Sequence, residues 1–188
     1  VQLSLSAQED QKMKRLVMAV VKFFSTTNCF AAAYIHNGSF ETDGLISNIK
    51  TKPPFGWNVN LPANFRGDIV ADWHTEGSYS LRLYTDAYKY FTANQNGMVS
   101  QQVDLSGVKE IYFDICLSGL DMFVVPWDET EVTAFVKIDS NDIWTSALAE
   151  DDIDDVNVPI ACGGVHTVSF GIRAQNSGYL FPFYFAQW

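Results

Sequence analysis

Apolar positions follow two different periods along the chain. In residues 6–24, Met13, Leu16, Val17, Val20, Val21 and Phe24 fall at i, i+3, i+4, i+7, i+8 and i+11, one face of an α-helix. Ser6 with Glu9 three residues on fits a capping box, and Asp10 places negative charge where the helix dipole favours it. From Asn37 onward the period becomes two. Tyr79, Leu81 and Leu83 alternate with Ser78, Ser80, Arg82 and Tyr84. Ile111, Phe113 and Ile115 alternate with Tyr112, Asp114 and Cys116, and Val168, Phe170 and Ile172 with Ser169, Gly171 and Arg173. Val132, Ala134, Val136 and Ile138 face opposite to Thr133, Phe135, Lys137 and Asp139. Strands are predicted near 38–41, 56–60, 68–73, 78–85, 98–104, 108–117, 131–139, 142–147, 156–160, 165–174 and 179–187.

Strands with one apolar face each need a partner layer, and two packed antiparallel sheets supply it. No long helical pattern interrupts them, which argues against a parallel α/β sheet. The predicted fold is all-β, a two-sheet antiparallel β-sandwich with an N-terminal amphipathic helix. Pro53-Pro54, Asn96-Gly97, Ser106-Gly107, Gly163-Gly164 and Ser177-Gly178 mark turns. Asp151-Asp152-Ile153-Asp154-Asp155 reads as an acidic loop. The chain divides into 1–33, a helix, linker or signal-like segment, and 34–188, the β domain. Residues 1–33 admit a pair of readings. One is the amphipathic helix, whose stripe needs the sandwich or a protein partner to cover it. The other is a secretory signal peptide, in which Met13-Lys14-Arg15 precedes Leu16-Val17-Met18-Ala19-Val20-Val21 and Ala31-Ala32-Ala33 follows. The run is too short and too charged to span a bilayer.

Charge narrows the partners. A formal net charge of -10 repels phosphate backbones and excludes nucleic acid as a partner. A neutral or cationic partner, or calcium, suits it. Cys29, Cys116 and Cys162 show no zinc spacing, and Cys116 with Cys162 reads either as a disulfide or as two buried thiols. His36, His74 and His166 form no HxH or HExxH pattern, and neither a Gly-x-Ser-x-Gly elbow nor a phosphate loop is present. Glu110 and Asp114 share a strand face, as acids often do by chance. The reading is therefore non-catalytic.

Three segments then occur in order: Asn37-Gly38-Ser39-Phe40-Glu41, Gly77-Ser78-Tyr79-Ser80-Leu81-Arg82-Leu83, and Val99-Ser100-Gln101-Gln102-Val103-Asp104-Leu105-Ser106. With Gly56-Trp57 and the aromatic end Tyr179-Leu180-Phe181-Pro182-Phe183-Tyr184-Phe185, they resemble the jelly-roll carbohydrate-binding modules of the galactose-binding-like group. The resemblance covers roughly 37–188. It implies a jelly roll, a polysaccharide or glycan partner, and an extracellular or cell-surface location. It also implies a structural calcium, with Glu41 at the first-strand glutamate position and Asp43 beside it. The aspartate expected near the end of the last strand has no match in Ala186-Gln187-Trp188.

Sugar rings stack on flat apolar surface and are fixed by polar groups. Candidates are Trp73 at a strand end, Trp127 in a polar loop, and Trp144 facing out from a strand. Tyr84, Tyr88 and Tyr90 lie in the segment richest in aromatic and polar residues, with Asp86 and Lys89 beside them. Arg82 and Gln101 are read as alternating outward to line one concave face. Each also has an ordinary reading in core packing or a solvated sheet surface. Two functions follow: a non-catalytic carbohydrate-binding module of an exported or surface protein, and a structural or assembly domain of a cell-surface, filament or virion protein that uses the N-terminal helix for partner contact.

Overall fold

The computed structural model describes residues 35, 38–72, 74, 77–86, 89–119, 132–147, 151–180 and 184–188. The expected N-terminal helix, the signal-like alternative, and Trp73, Tyr88 and Trp127 lie outside them.

The described chain is all-β, with antiparallel pairing throughout and no helix. Twelve strands follow in order: β1 (Asn58–Asn60), β2 (Phe65–Val70), β3 (Ser80–Thr85), β4 (Lys89–Phe91), β5 (Asn96–Asp104), β6 (Glu110–Gly119), β7 (Val132–Ile138), β8 (Asn141–Ala147), β9 (Asp151–Pro159), β10 (Val165–Ala174), β11 (Gly178–Leu180) and β12 (Tyr184–Gln187). One five-stranded sheet runs β1-β5-β10-β7-β8, a second runs β2-β3-β12-β6-β9, and β11 pairs with β4 in a small ribbon. No helix among the described residues is long and apolar enough to cross a membrane.

The alternation decides which side chains enter the core. Val99, Val136, Val168 and Ile172 from the first sheet and Ile69, Leu81, Leu83 and Ile115 from the second are buried in one cluster. Phe170 of β10 meets Phe113 of β6 edge-on, with centroids 5.9 Å apart and planes at 82°, so rings from the two sheets touch directly. Trp57 stacks on Phe40 at 5.5 Å and meets Phe170 at 5.9 Å, which makes it core.

Four expectations need correction. Residues 38–41 form a turn rather than a strand, with Phe40 at φ 60 and its ring buried. The first bridge to the sheet comes later, from Ile46 to Ile69. The acidic segment 151–155 is strand, not loop: Asp151, Asp152 and Ile153 pair with Leu117, Cys116 and Ile115. The pairing is made by its backbone, whatever the side chains are, and β9 is the last strand in the order of its sheet. Asn96-Gly97 opens β5 instead of turning, paired there with Arg173 and Ile172 of β10, and the glycine serves a close approach: a Cβ on it would stand 2.8 Å from Phe65. The aromatic end is two strands: β11 pairs away with β4, while β12 enters the second sheet between β3 and β6. Of the two readings open for Cys116 and Cys162, the thiols are the one found: both are half-buried and not joined in a disulfide.

Candidate functional site

The outer face of β2 and β3 gathers two arginines and three aspartates around an aromatic ring. In Phe65–Val70 the pleat sends Phe65, Gly67 and Ile69 to the core side and Arg66 and Asp68 to the other, where Asp68 is itself buried, under its partner Arg82 among others. In β3, Leu81 and Leu83 are buried and Arg82 and Tyr84 alternate with them. Antiparallel register then sets Arg66 opposite Tyr84 and Asp68 opposite Arg82. Opposite charges at directly facing positions stabilise the pairing.

Arg82 donates through Nε to Asp68 Oδ1 at 3.0 Å and through Nη2 to Asp68 Oδ2 at 2.8 Å. Its Nη1 donates to Asp72 Oδ2 at 3.0 Å. Arg66 forks in the same way onto Asp86, at 3.0 and 2.8 Å. The Arg82 guanidinium also sits 5.7 Å from the centre of the Tyr84 ring. The hydrogen bond to Asp68 raises the Arg82 pKa, although burial opposes it. Burial, then the charge of Asp68, raises that of Tyr84. Lys50 is lowered first by burial and then by the neighbouring Arg66. A guanidinium has five N–H donors and Arg82 engages three of them here, so its plane is fixed with donors to spare. The face is thus a prearranged set of donors and acceptors beside a half-buried ring.

Of the residues singled out in the sequence, Arg82 and Tyr84 come together here. Tyr90 is half exposed on β4, in the separate ribbon, and its carbonyl accepts from Asn64 Nδ2 at 2.8 Å. Gln101 does not join them. It sits in β5 of the other sheet, buried on the same side as Val99 and Val103, and its Nε2 donates to the Gly56 carbonyl at 2.8 Å. Positions 99, 101 and 103 share a face, so Gln101 points inward rather than outward. Trp144 is half-buried on β8 and turned inward, its ring 5.2 Å from Phe113 at 83°. Arg66, Asp68 and Asp72 complete the face, and sequence reasoning misses them. The signal available is the alternation within Phe65–Val70, but their partnership depends on register between strands.

Glu41 and Asp43 hold turns. Glu41 Oε1 accepts from the amides of Ser78 at 2.7 Å and Tyr79 at 2.8 Å, and Asp43 Oδ2 accepts from the Phe55 amide at 2.7 Å. Gly77, at φ 72, is required there because a Cβ would stand 2.4 Å from Glu41 Oε1. Calcium takes six to eight oxygens, backbone carbonyls and water among them, so these two carboxylates would supply only part of such a site. Among the described residues no group of three or more His, Cys, Asp or Glu side chains is close enough to hold a metal.

A second polar cluster closes one end of the first sheet. His166 Nδ1 lies 2.8 Å from Asp139 Oδ2 and Nε2 lies 3.1 Å from the Gly163 carbonyl. Both ring nitrogens face acceptors, so only the imidazolium donates to both. The Asp139 hydrogen bond, then the Gly163 carbonyl, raises the His166 pKa above its ordinary 6.5. The His166 bond, then the Thr167 amide, lowers Asp139 below 3.8. The histidine contribution is complete below 6.5 and is lost as pH rises through its raised value. The aspartate contribution is complete above 3.8 and is lost as pH falls through its lowered value. The clasp is therefore strongest from 3.8 to 6.5. Thermal melts of the native chain and His166→Asn across pH 3 to 9 are expected to differ most in that window and converge in alkali. A pH-independent difference would remove the clasp from the account.

No known protein-family model matches the chain, and no match to a curated protein was found.

Proposed function

We propose that residues 34–188 form a jelly-roll carbohydrate-binding module, non-catalytic and carried by an exported or surface-displayed protein. The observation that carries this reading is the outer face of β2 and β3. There, bidentate Arg82–Asp68 and Arg66–Asp86 pairs fix polar groups around the Tyr84 ring. A sugar needs a flat apolar contact and hydroxyl partners already in place, because ordering them on binding costs affinity. The antiparallel two-sheet architecture and the order of the three sequence segments support the same reading. The structural or assembly alternative draws on Leu45 and Phe55, two large apolar side chains exposed on neighbouring turns.

The test is a glycan-array screen of the whole chain, with and without calcium, repeated on Arg82→Lys and Tyr84→Ala. Lysine keeps a cation beside the nearly buried Asp68 but loses the fork. Binding is expected to fall about tenfold or more with either change, the scale of one charged hydrogen bond for Arg82 and of one lost aromatic contact for Tyr84. The calcium arm asks whether Glu41 and Asp43 share a structural ion besides clipping turns. A silent array from a folded, calcium-supplied chain would reject the glycan reading in favour of assembly.

A further inference from the structure

The face that carries Arg82 and Tyr84 extends across the whole second sheet. Arg82 is level with Gln187 of β12, and Gln187 with Cys116 of β6, so one row crosses three strands. Along β6, Ile111, Phe113 and Ile115 are buried, and Glu110, Tyr112, Asp114 and Cys116 share the opposite face. That face ends in a second aromatic, this one exposed. Tyr112 is 37% exposed, and its hydroxyl donates to Glu110. From β9, Asn157 Nδ2 donates to Glu110 Oε2 and to the Tyr112 hydroxyl, each at 3.3 Å. Tyr112 and Asn157 are direct cross-strand partners.

This is more than a tyrosine on a sheet surface. Its hydroxyl is fixed from two sides, so the ring keeps its orientation without a bound molecule, and a rigid aromatic loses little entropy on contact. The ladder changes register beside it. Phe113 faces Val156 and Ile115 faces Ile153, so β9 carries an extra residue there. Such bulges increase local twist and re-aim side chains, and they concentrate near binding surfaces. Charge then restricts the occupant. Arg66 and Arg82 are neutralised by Asp86, Asp68 and Asp72, while the Tyr112 end carries the carboxylates of Glu110 and Asp114 on the same strand face. An anionic chain is repelled from that end. A neutral polyhydroxyl chain finds an acceptor carboxylate beside a ring.

We infer that Tyr112, with Glu110 and Asn157, is a distal stacking subsite for a neutral oligosaccharide that runs diagonally over the second sheet from Arg82 and Tyr84. The inference rests on the carbohydrate-binding reading above. Four residues along β6 are about 13 Å and the two strand spacings from β3 to β6 are about 10 Å, so the subsites stand roughly 16 Å apart. A disaccharide is too short to occupy both and a hexasaccharide is long enough.

Isothermal titration of the full chain with paired probes tests this. The probes are the di- and hexasaccharides of β-1,4-linked xylose, glucose and mannose, with hexagalacturonate as the acidic counterpart. At least one neutral hexasaccharide is expected to bind about tenfold or more tightly than its disaccharide. Tyr112→Ala is expected to erase that advantage while leaving the disaccharide unchanged, and Tyr112→Phe, which keeps the ring but frees it, to fall between. Equal affinity for the two lengths, or a length advantage that survives Tyr112→Ala, overturns the subsite and leaves the binding-module reading standing. Preference for hexagalacturonate overturns the neutral assignment. Binding to none of the probes overturns the subsite together with the reading it rests on.

Discussion

Phe170→Ala is expected to destabilise the protein by about 3–5 kcal/mol, the range for an emptied phenylalanine site. The reason is position. Phe170 lies in β10, the central strand of the first sheet, and meets three other rings at 5.9 Å: Trp57, Phe113 and Trp188. Edge-on aromatic pairs add about 0.5–1.5 kcal/mol each beyond the area they bury. Phe113 belongs to the second sheet, so the cavity would open where the two sheets touch. Neither sheet collapses easily into such a gap, since each is fixed by its ladder. Phe170→Leu keeps most of the volume and is expected to cost under about 2 kcal/mol. Urea unfolding checks both, with the midpoint moving and the slope unchanged. A loss below about 1 kcal/mol for alanine would mean that the two sheets do not depend on this contact.

What the sequence reveals about this fold follows from the locality of the signal. The segments predicted at 131–139 and 165–174 correspond to β7 and β10 because each has one face in the core, and the pleat turns that into alternation. Where both faces or the backbone alone decide, the pattern is silent. Nothing in Asp151-Asp152-Ile153-Asp154-Asp155 looks like a strand, yet β6 supplies its hydrogen-bond partners. Lys89–Phe91 is a strand only because β11 returns to pair with it. The candidate site divides in the same way. Arg82 and Tyr84 are visible as outward positions in an alternating segment. Asp68 and Arg66 become their neighbours through register, which no single segment encodes. Gln101 stands out for its chemistry, but its parity with Val99 and Val103 sends it to the core, where it holds Gly56. Tyr112 lies in an alternating segment. Its distinction, a hydroxyl held from both sides, requires Asn157 on another strand.

Gly171→Ala is expected to cost at least about 2 kcal/mol, although it adds a single methyl group to a strand that otherwise favours larger residues. That methyl would stand 2.4 Å from Phe135 Cζ, 2.7 Å from the Gly97 carbonyl oxygen and 2.8 Å from Met98 Cβ. Phe135 is the ring directly across the ladder from Gly171, and it is fully buried on the outer side of the first sheet. Two cations lie over it, the Arg173 guanidinium at 4.7 Å and the Lys137 ammonium at 5.0 Å. Both are tied to Asp142: Arg173 by two bonds of 2.9 Å, Lys137 at 3.6 Å. The ring therefore cannot swing away without breaking that ion cluster, and the Gly97 carbonyl belongs to β5 and is part of the ladder. Removing the ring tests the argument. In a double-mutant cycle with Phe135→Ala, the two losses are expected to be less than additive, by about 1 kcal/mol or more. The Gly97 oxygen and Met98 Cβ remain in the double mutant, so relief is partial. Strict additivity, or a neutral Gly171→Ala, would show that the glycine is not there to seat Phe135.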